Sequence, residues 1–196
     1  MPGMITHGPP SVASLERFLV SQIGFDFSYP RPGCSLGGVP APVGYRHDRA
    51  QGLIGHGEMA FRRARQAIQN WTMFDQPGVL LYPPESPVVP GCHVVVAGSV
   101  GPLWVTGACR IVEVIDEDDR YGFAYGTLDH VALGEELFLL TRRPDGSVWF
   151  TIDAYSRPQK WFVQAVTPLF RTIQNRFRQQ AIAAIALASR ESSTVS

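Results

Sequence analysis

The sequence predicts an α+β domain in which a curved antiparallel β-sheet packs on a long C-terminal helix. Three observations carry the prediction. β-Branched segments follow one another from Val79 to Tyr155 with short links between them, and Phe162 to Ala188 is amphipathic. Apolar residues make up 45% of the 196 residues, enough for one core. Strands joined by short links pair antiparallel, because a parallel pair needs a long crossover. A helix face of this length needs an extended partner, and only the sheet is large enough.

Met1 to Pro10 reads as a flexible arm. From Ser11 to Ser189 the chain reads as a single domain, and Arg190 to Ser196 as a flexible tail. Val12, Leu15, Phe18, Leu19 and Ile23 recur at helical spacing behind Ser11, a suitable N-cap. Tyr29 to Gly44 is dense in proline and glycine and is expected as an irregular segment over the surface. The stripe Ala60, Phe61, Ala64, Ala67, Ile68 and Trp71 predicts a helix from Glu58 to Trp71. Glu58 lies at the positive end of its dipole.

The expected strands are Val79–Tyr82, His93–Val100, Leu103–Ile115, Arg120–Leu128, Glu135–Arg142 and Ser147–Tyr155. Asp116 to Asp119 reads as a solvated hairpin loop, and Pro144-Asp145-Gly146 as a second turn. In the last helix Phe162, Val166, Leu169, Phe170, Ile173, Phe177, Ala181, Ile185 and Ala188 form the apolar face. Arg171, Asn175, Arg178 and Gln179 are assigned to the other side. Ser156-Arg157-Pro158 reads as a structural junction, in which Ser156 can cap and Pro158 suits a helix start. Pro168 suits a first helical turn but not an interior, so a kink there, or a short helix followed by a longer one, is expected.

Composition excludes several function classes. Lys+Arg and Asp+Glu both total 17, which argues against a generic nucleic-acid binder. Cys34, Cys92 and Cys109 are far apart and form no C-x-x-C pair, so reduced thiols in a cytoplasmic protein are the expectation. The first ten residues hold no apolar signal core, and Ala181 to Ala188 is too short to enter a bilayer. His7, His47, His56, His93 and His130 lack metal-ligand spacing, so no metal and no cofactor is expected.

A resemblance enters with specific blocks. Gly44-Tyr45-Arg46-His47, then Gly55-His56-Gly57-Glu58 opening a helix that ends at Trp71, resembles a bacterial and plant family known as a domain of unknown function. The blocks Tyr121 to Leu128 and Gly146 to Phe150, continuing through Ser156-Arg157-Pro158 to Trp161, carry the same resemblance. That family is similar to the START and birch-pollen-allergen-like (SRPBCC) superfamily of helix-grip proteins. The resemblance implies a sheet wrapped round the C-terminal helix and a lipophilic cavity between them. It brings over no catalytic residue.

Several motifs fail on their context. Gly33-Cys34-Ser35-Leu36-Gly37 matches the nucleophile elbow, but its flanks supply neither the strand nor the helix that exposes the serine. Gly55-His56-Gly57-Glu58-Met59-Ala60 matches a relaxed dinucleotide fingerprint without the buried parallel strand that motif needs. Asp116 to Asp119 lacks the spacing of a calcium loop. Glu135 and Glu136 are adjacent, so on a strand they face opposite ways and cannot form a catalytic pair.

The remaining candidates are aromatic and hydroxyl side chains. Phe123, Tyr125 and Thr127 share one strand face, and Phe150 leads another. Polar tips among bulky apolar groups orient a ligand in a cavity. Tyr45 and His47 are expected at its mouth, with Trp71 and Trp161 completing the ligand-binding set. The expectation is a carrier of a lipophilic small molecule. A cyclase- or hydratase-like enzyme would need His47, Tyr125 or Asp153 inside the same cavity. A filled core would indicate a scaffold.

Overall fold

The computed structural model describes residues 3–37, 42–129, 132–158 and 167–190. Its strands are β1 (Met4–His7), β2 (Arg46–His56), β3 (Val79–Tyr82), β4 (His93–Val100), β5 (Leu103–Asp116), β6 (Arg120–Asp129), β7 (Ala132–Arg142) and β8 (Ser147–Pro158). Its helices are α1 (Val12–Gln22), α2 (Gly57–Gln69) and α3 (Thr167–Arg190), with 3-10 turns at Cys34–Leu36 and Thr72–Phe74. The sheet order is β2-β8-β7-β6-β5-β4-β3, antiparallel throughout. The α+β expectation holds: a curled sheet grips the C-terminal helix.

The element boundaries have local causes. Ser11 caps α1, its Oγ accepting from the Ser14 amide at 3.3 Å. Gly146 turns the β7–β8 hairpin at φ +80°, a conformation that glycine adopts without steric cost. Irregular registers at Leu53/Gly55 in β2 and at two places in β5 bend the sheet.

Two differences from the sequence reading stand out. Met4–His7, within the expected arm, is a strand. It pairs with Leu103–Thr106 of β5, beyond the part of β5 that pairs with β6. The Ser156-Arg157-Pro158 junction continues β8 instead of starting a helix. Within the described residues α3 begins at Thr167 with Pro168 in its first turn, where a missing amide costs nothing. The expected stretch from Phe162 to Val166, and the tail after Arg190, lie outside the described residues.

Helix α3 packs on β2, α2 and the turn at Thr72–Phe74. Gly52 permits the close approach: a Cβ there would sit 2.4 Å from Cγ2 of Ile182. Phe123, Phe138 and Phe150 are fully buried, and the indole of Trp71 donates to the Ser86 carbonyl at 2.7 Å. Among the described residues, no helix is long and apolar enough to cross a membrane.

Candidate functional site

A partly open cavity of about 210 Å³ lies between the sheet and α3. Its walls are mostly apolar, with Val79, Val96 and Val105 from the sheet and Phe74 and Phe177 facing them. The Phe74 and Phe177 rings pack 5.4 Å apart. An apolar space of about 150 Å³ already admits benzene. This cavity therefore has room for a molecule of one or two rings.

One row of the sheet gives the cavity its polar wall. Strand register aligns Asp48, Ala154, Glu136 and Tyr125 across β2, β8, β7 and β6. Tyr125 Oη donates to Glu136 Oε2 at 3.1 Å. Arg178 reaches the row from α3, its Nη2 lying 3.7 Å from Asp48 and its Nε 3.9 Å from Glu136. Nη1 donates to Asn175 at 3.1 Å. Arg178 is 3% exposed, and its Nε has no hydrogen-bond partner among the described residues. Ala154 is the small residue between the two carboxylate-bearing positions.

Burial raises the Glu136 carboxyl above its ordinary value, with Asp48 adding to the rise and Arg178 and Tyr125 opposing it. Burial, followed by Glu136, pushes the Tyr125 phenol well up. The Cys109 thiol, also at the cavity wall, is raised by burial and then by Glu136. The phenol of Tyr125 and the thiol of Cys109 therefore keep their protons at physiological pH.

The opposite face of the same strands is built for anchoring. Glu135 is 3% exposed and accepts from Tyr29 Oη (2.6 Å), Gly33 N (2.6 Å), Ser35 N (2.7 Å) and Ser35 Oγ (2.5 Å). Gly126, opposite Glu135, leaves space for Tyr29, since a Cβ there would lie 2.0 Å from the phenol oxygen. The apparent nucleophile elbow thus holds a serine already committed to a carboxylate. Cys34 beside it is pushed up to about 11 by burial and by Glu135.

The structure distributes the candidate residues unevenly. Tyr125 and Thr127 line the cavity. Thr127 Oγ1 is engaged, accepting from the Gly134 amide at 2.9 Å and lying 2.7 Å from Ser28 Oγ. Trp71, Phe123 and Phe150 belong to the packed core. His47 is exposed on the outer face, its Nε2 2.5 Å from Asp153 and its ring stacked 4.5 Å from Tyr155. Tyr45 packs under Arg157, 5.2 Å from its guanidinium carbon. Trp161 lies outside the described residues.

Two cavity residues were not picked out from the sequence. Arg178 was assigned to the polar side of the helix, but it lies buried on the inner side. It precedes Ala181 by three residues and Ile185 by seven, a spacing that places all three on one face. Glu136 was recognised only as pointing away from Glu135. The remaining motifs have structural partners. Gly57, at φ +79°, donates to the Gly146 carbonyl and turns β2 into α2. In the acidic loop Asp116 pairs with Arg65 at 2.7 Å and Glu117 with Arg120 at 3.2 Å. Cys34, Cys92 and Cys109 are free thiols.

Residues 28–184 match the family described as Domain of unknown function (DUF1990). The chain belongs to that family. A DUF1990-type relative from Deinococcus radiodurans, named UPF0548 protein, is 34% identical over 181 residues, covering 86% of this chain and 90% of its own. A Dictyostelium discoideum UPF0548 protein is 32% identical over 143 residues, 66% of each chain.

Among solved structures, a hypothetical protein of Helicobacter pylori superposes with a TM-score of 0.56 at 7% identity, covering 84% of this chain and 96% of its own. The di-domain ARO/CYC protein StfQ of the steffimycin pathway gives 0.51 at 8%, covering 74% and 50%. Ginseng major latex-like protein 151 gives 0.50 at 16%, covering 75% and 99%. At these identities the likeness is one of fold. What this DUF1990 chain shares with them is a curled antiparallel sheet packed against a C-terminal helix.

Proposed function

We propose that this DUF1990 protein binds a lipophilic small molecule in the cavity between the sheet and α3. The observation that supports the reading is the pairing of an apolar space of about 210 Å³ with one confined polar group at its wall, Tyr125–Glu136–Arg178. Burial of apolar area would provide affinity, and the few polar atoms would fix orientation. Tyr125 and Thr127, with Phe74 and Phe177, form the contact set. The test is native mass spectrometry of the purified protein together with titration by an uncharged apolar fluorophore. A retained lipophile or saturable fluorophore binding supports the reading. The absence of both sinks it and leaves a scaffold.

One observation favours a second reading, an enzyme of the cyclase or hydratase kind. Tyr125 and Glu136 form an inward hydrogen-bonded pair, and both hold their protons more tightly than usual. Such a pair could protonate a bound carbonyl or alkene. The ARO/CYC description belongs to StfQ, and this reading rests on the pair itself. Tyr125→Phe that leaves binding intact but abolishes turnover of a bound polyketone would distinguish enzyme from carrier.

A further inference from the structure

We propose that the cavity selects an apolar molecule bearing an uncharged oxygen, a ketone or a hydroxyl, received by the Nε–H of Arg178. This deepens the cavity reading above and rests on it. The argument begins with charge. Arg178 faces two carboxylates, Asp48 at 3.7 Å and Glu136 at 3.9 Å, and Arg46 pairs with Asp48 from the rim. Two cations therefore stand against two carboxylates, and the cluster has no net positive charge to offer a ligand.

What it offers instead is a hydrogen bond. Nη1 of Arg178 is committed to Asn175, while Nε is buried with no acceptor among the described residues. A buried donor without an acceptor costs free energy that a ligand oxygen can recover. The position is set by the sheet: Ala154 separates Asp48 from Glu136, and its short side chain keeps the row open where Arg178 arrives. A ligand carboxylate there would approach Asp48 and Glu136 within the same few ångströms and be repelled. A bare hydrocarbon would leave Nε unpaired. A neutral oxygen on a ring system avoids both penalties, and its apolar body fits against Val96, Phe74 and Phe177.

The test is calorimetric titration at neutral pH with naphthalene, 2-acetonaphthone, 2-naphthol and 2-naphthoate. The ketone and the naphthol should bind about tenfold or more tighter than naphthalene, as expected for a hydrogen bond to a charged group. Naphthoate should bind more weakly than the ketone. Arg178→Met should erase the advantage of the ketone over naphthalene. If that variant does not fold, Glu136→Gln provides the second arm: removing one carboxylate charge should improve naphthoate binding. Naphthalene binding as tightly as the ketone, or naphthoate binding tightest to the unmodified protein, overturns the inference while the cavity stands. If none of the compounds binds, the cavity reading fails and this inference fails with it.

Discussion

Glu135 and Glu136 are neighbours in β7 whose carboxylates serve opposite faces of one sheet. Glu135 holds the segment from Tyr29 to Ser35 against the outer face through four donors. Glu136 turns inward to Tyr125 and Arg178. Adjacent strand positions alternate faces, so one residue step separates an anchor from a cavity wall. Glu135→Ala should cost roughly 3–5 kcal/mol in urea unfolding, because it strands buried donors rather than removing a surface charge. Ligand binding should be unaffected in the folded fraction. A loss below about 1 kcal/mol would mean that the outer segment is not held by this carboxylate.

Glu136 makes stability depend on pH. Its folded-state value is raised above the ordinary carboxylate value of 4.5, chiefly by burial. The sign follows from linkage: the contribution is fully present below that ordinary value and is lost as pH rises through the raised one. Glu136→Gln cannot lose it. The stability of the Gln variant relative to the unmodified protein should therefore improve from mildly acidic to neutral pH. Urea midpoints measured across that window check this, and a pH-independent difference would contradict it.

Much of the fold was readable because each strand and the α2 stripe carry their own period. The Pro144-Asp145-Gly146 turn and the Ser11 cap are local chemistry, and both are present. Pro158 misled because a proline two residues after a serine able to cap suits a helix start, whereas the β7 register carries β8 through it. The site was harder to read. Tyr125 was legible from its strand face, but Arg178 was not, because a charged residue on an amphipathic helix is ordinarily solvated. Only the register that places Asp48 and Glu136 across from Ala154 provides the partners that let a guanidinium be buried. His47 was expected at the mouth because it precedes a strand. Its strand parity instead directs it to the outer face with Asp153.

That placement sets two substitutions side by side. His47→Ala removes an exposed imidazole from the largely buried Asp153, which keeps Arg49 at 3.7 Å, and should cost about 1 kcal/mol. Tyr125→Phe deletes a hydrogen bond inside the cavity and should cost about 1 kcal/mol. Under the carrier reading, neither should alter apolar fluorophore binding by more than a few-fold. A large loss of binding on His47→Ala would place the ligand on the outer face instead.

The contact between Gly52 and Ile182 sets how closely α3 approaches β2. Gly52→Ala brings a Cβ within 2.4 Å of Ile182 Cγ2, so overpacking should cost about 1–3 kcal/mol. Ile182→Ala removes that methyl and leaves the new Cβ 3.8 Å from the Ile182 Cβ, an ordinary contact. The double variant should therefore be more stable than the sum of the two single losses predicts. Ile182→Val keeps a γ-methyl and should rescue less. Additivity in the Ala pair would show that α3 yields by shifting as a whole.

Filling the cavity separates stability from binding. Val96 lines the space from β4, opposite Phe74 and Phe177. Val96→Phe would extend into open volume rather than into packed side chains, burying new apolar area worth about 1 kcal/mol. The ligand-free protein should become more resistant to urea while losing affinity for the uncharged fluorophore. Increased stability with binding unchanged would mean that the fluorophore sits elsewhere. Decreased stability would show that the space is narrower than the ring and that its walls do not yield.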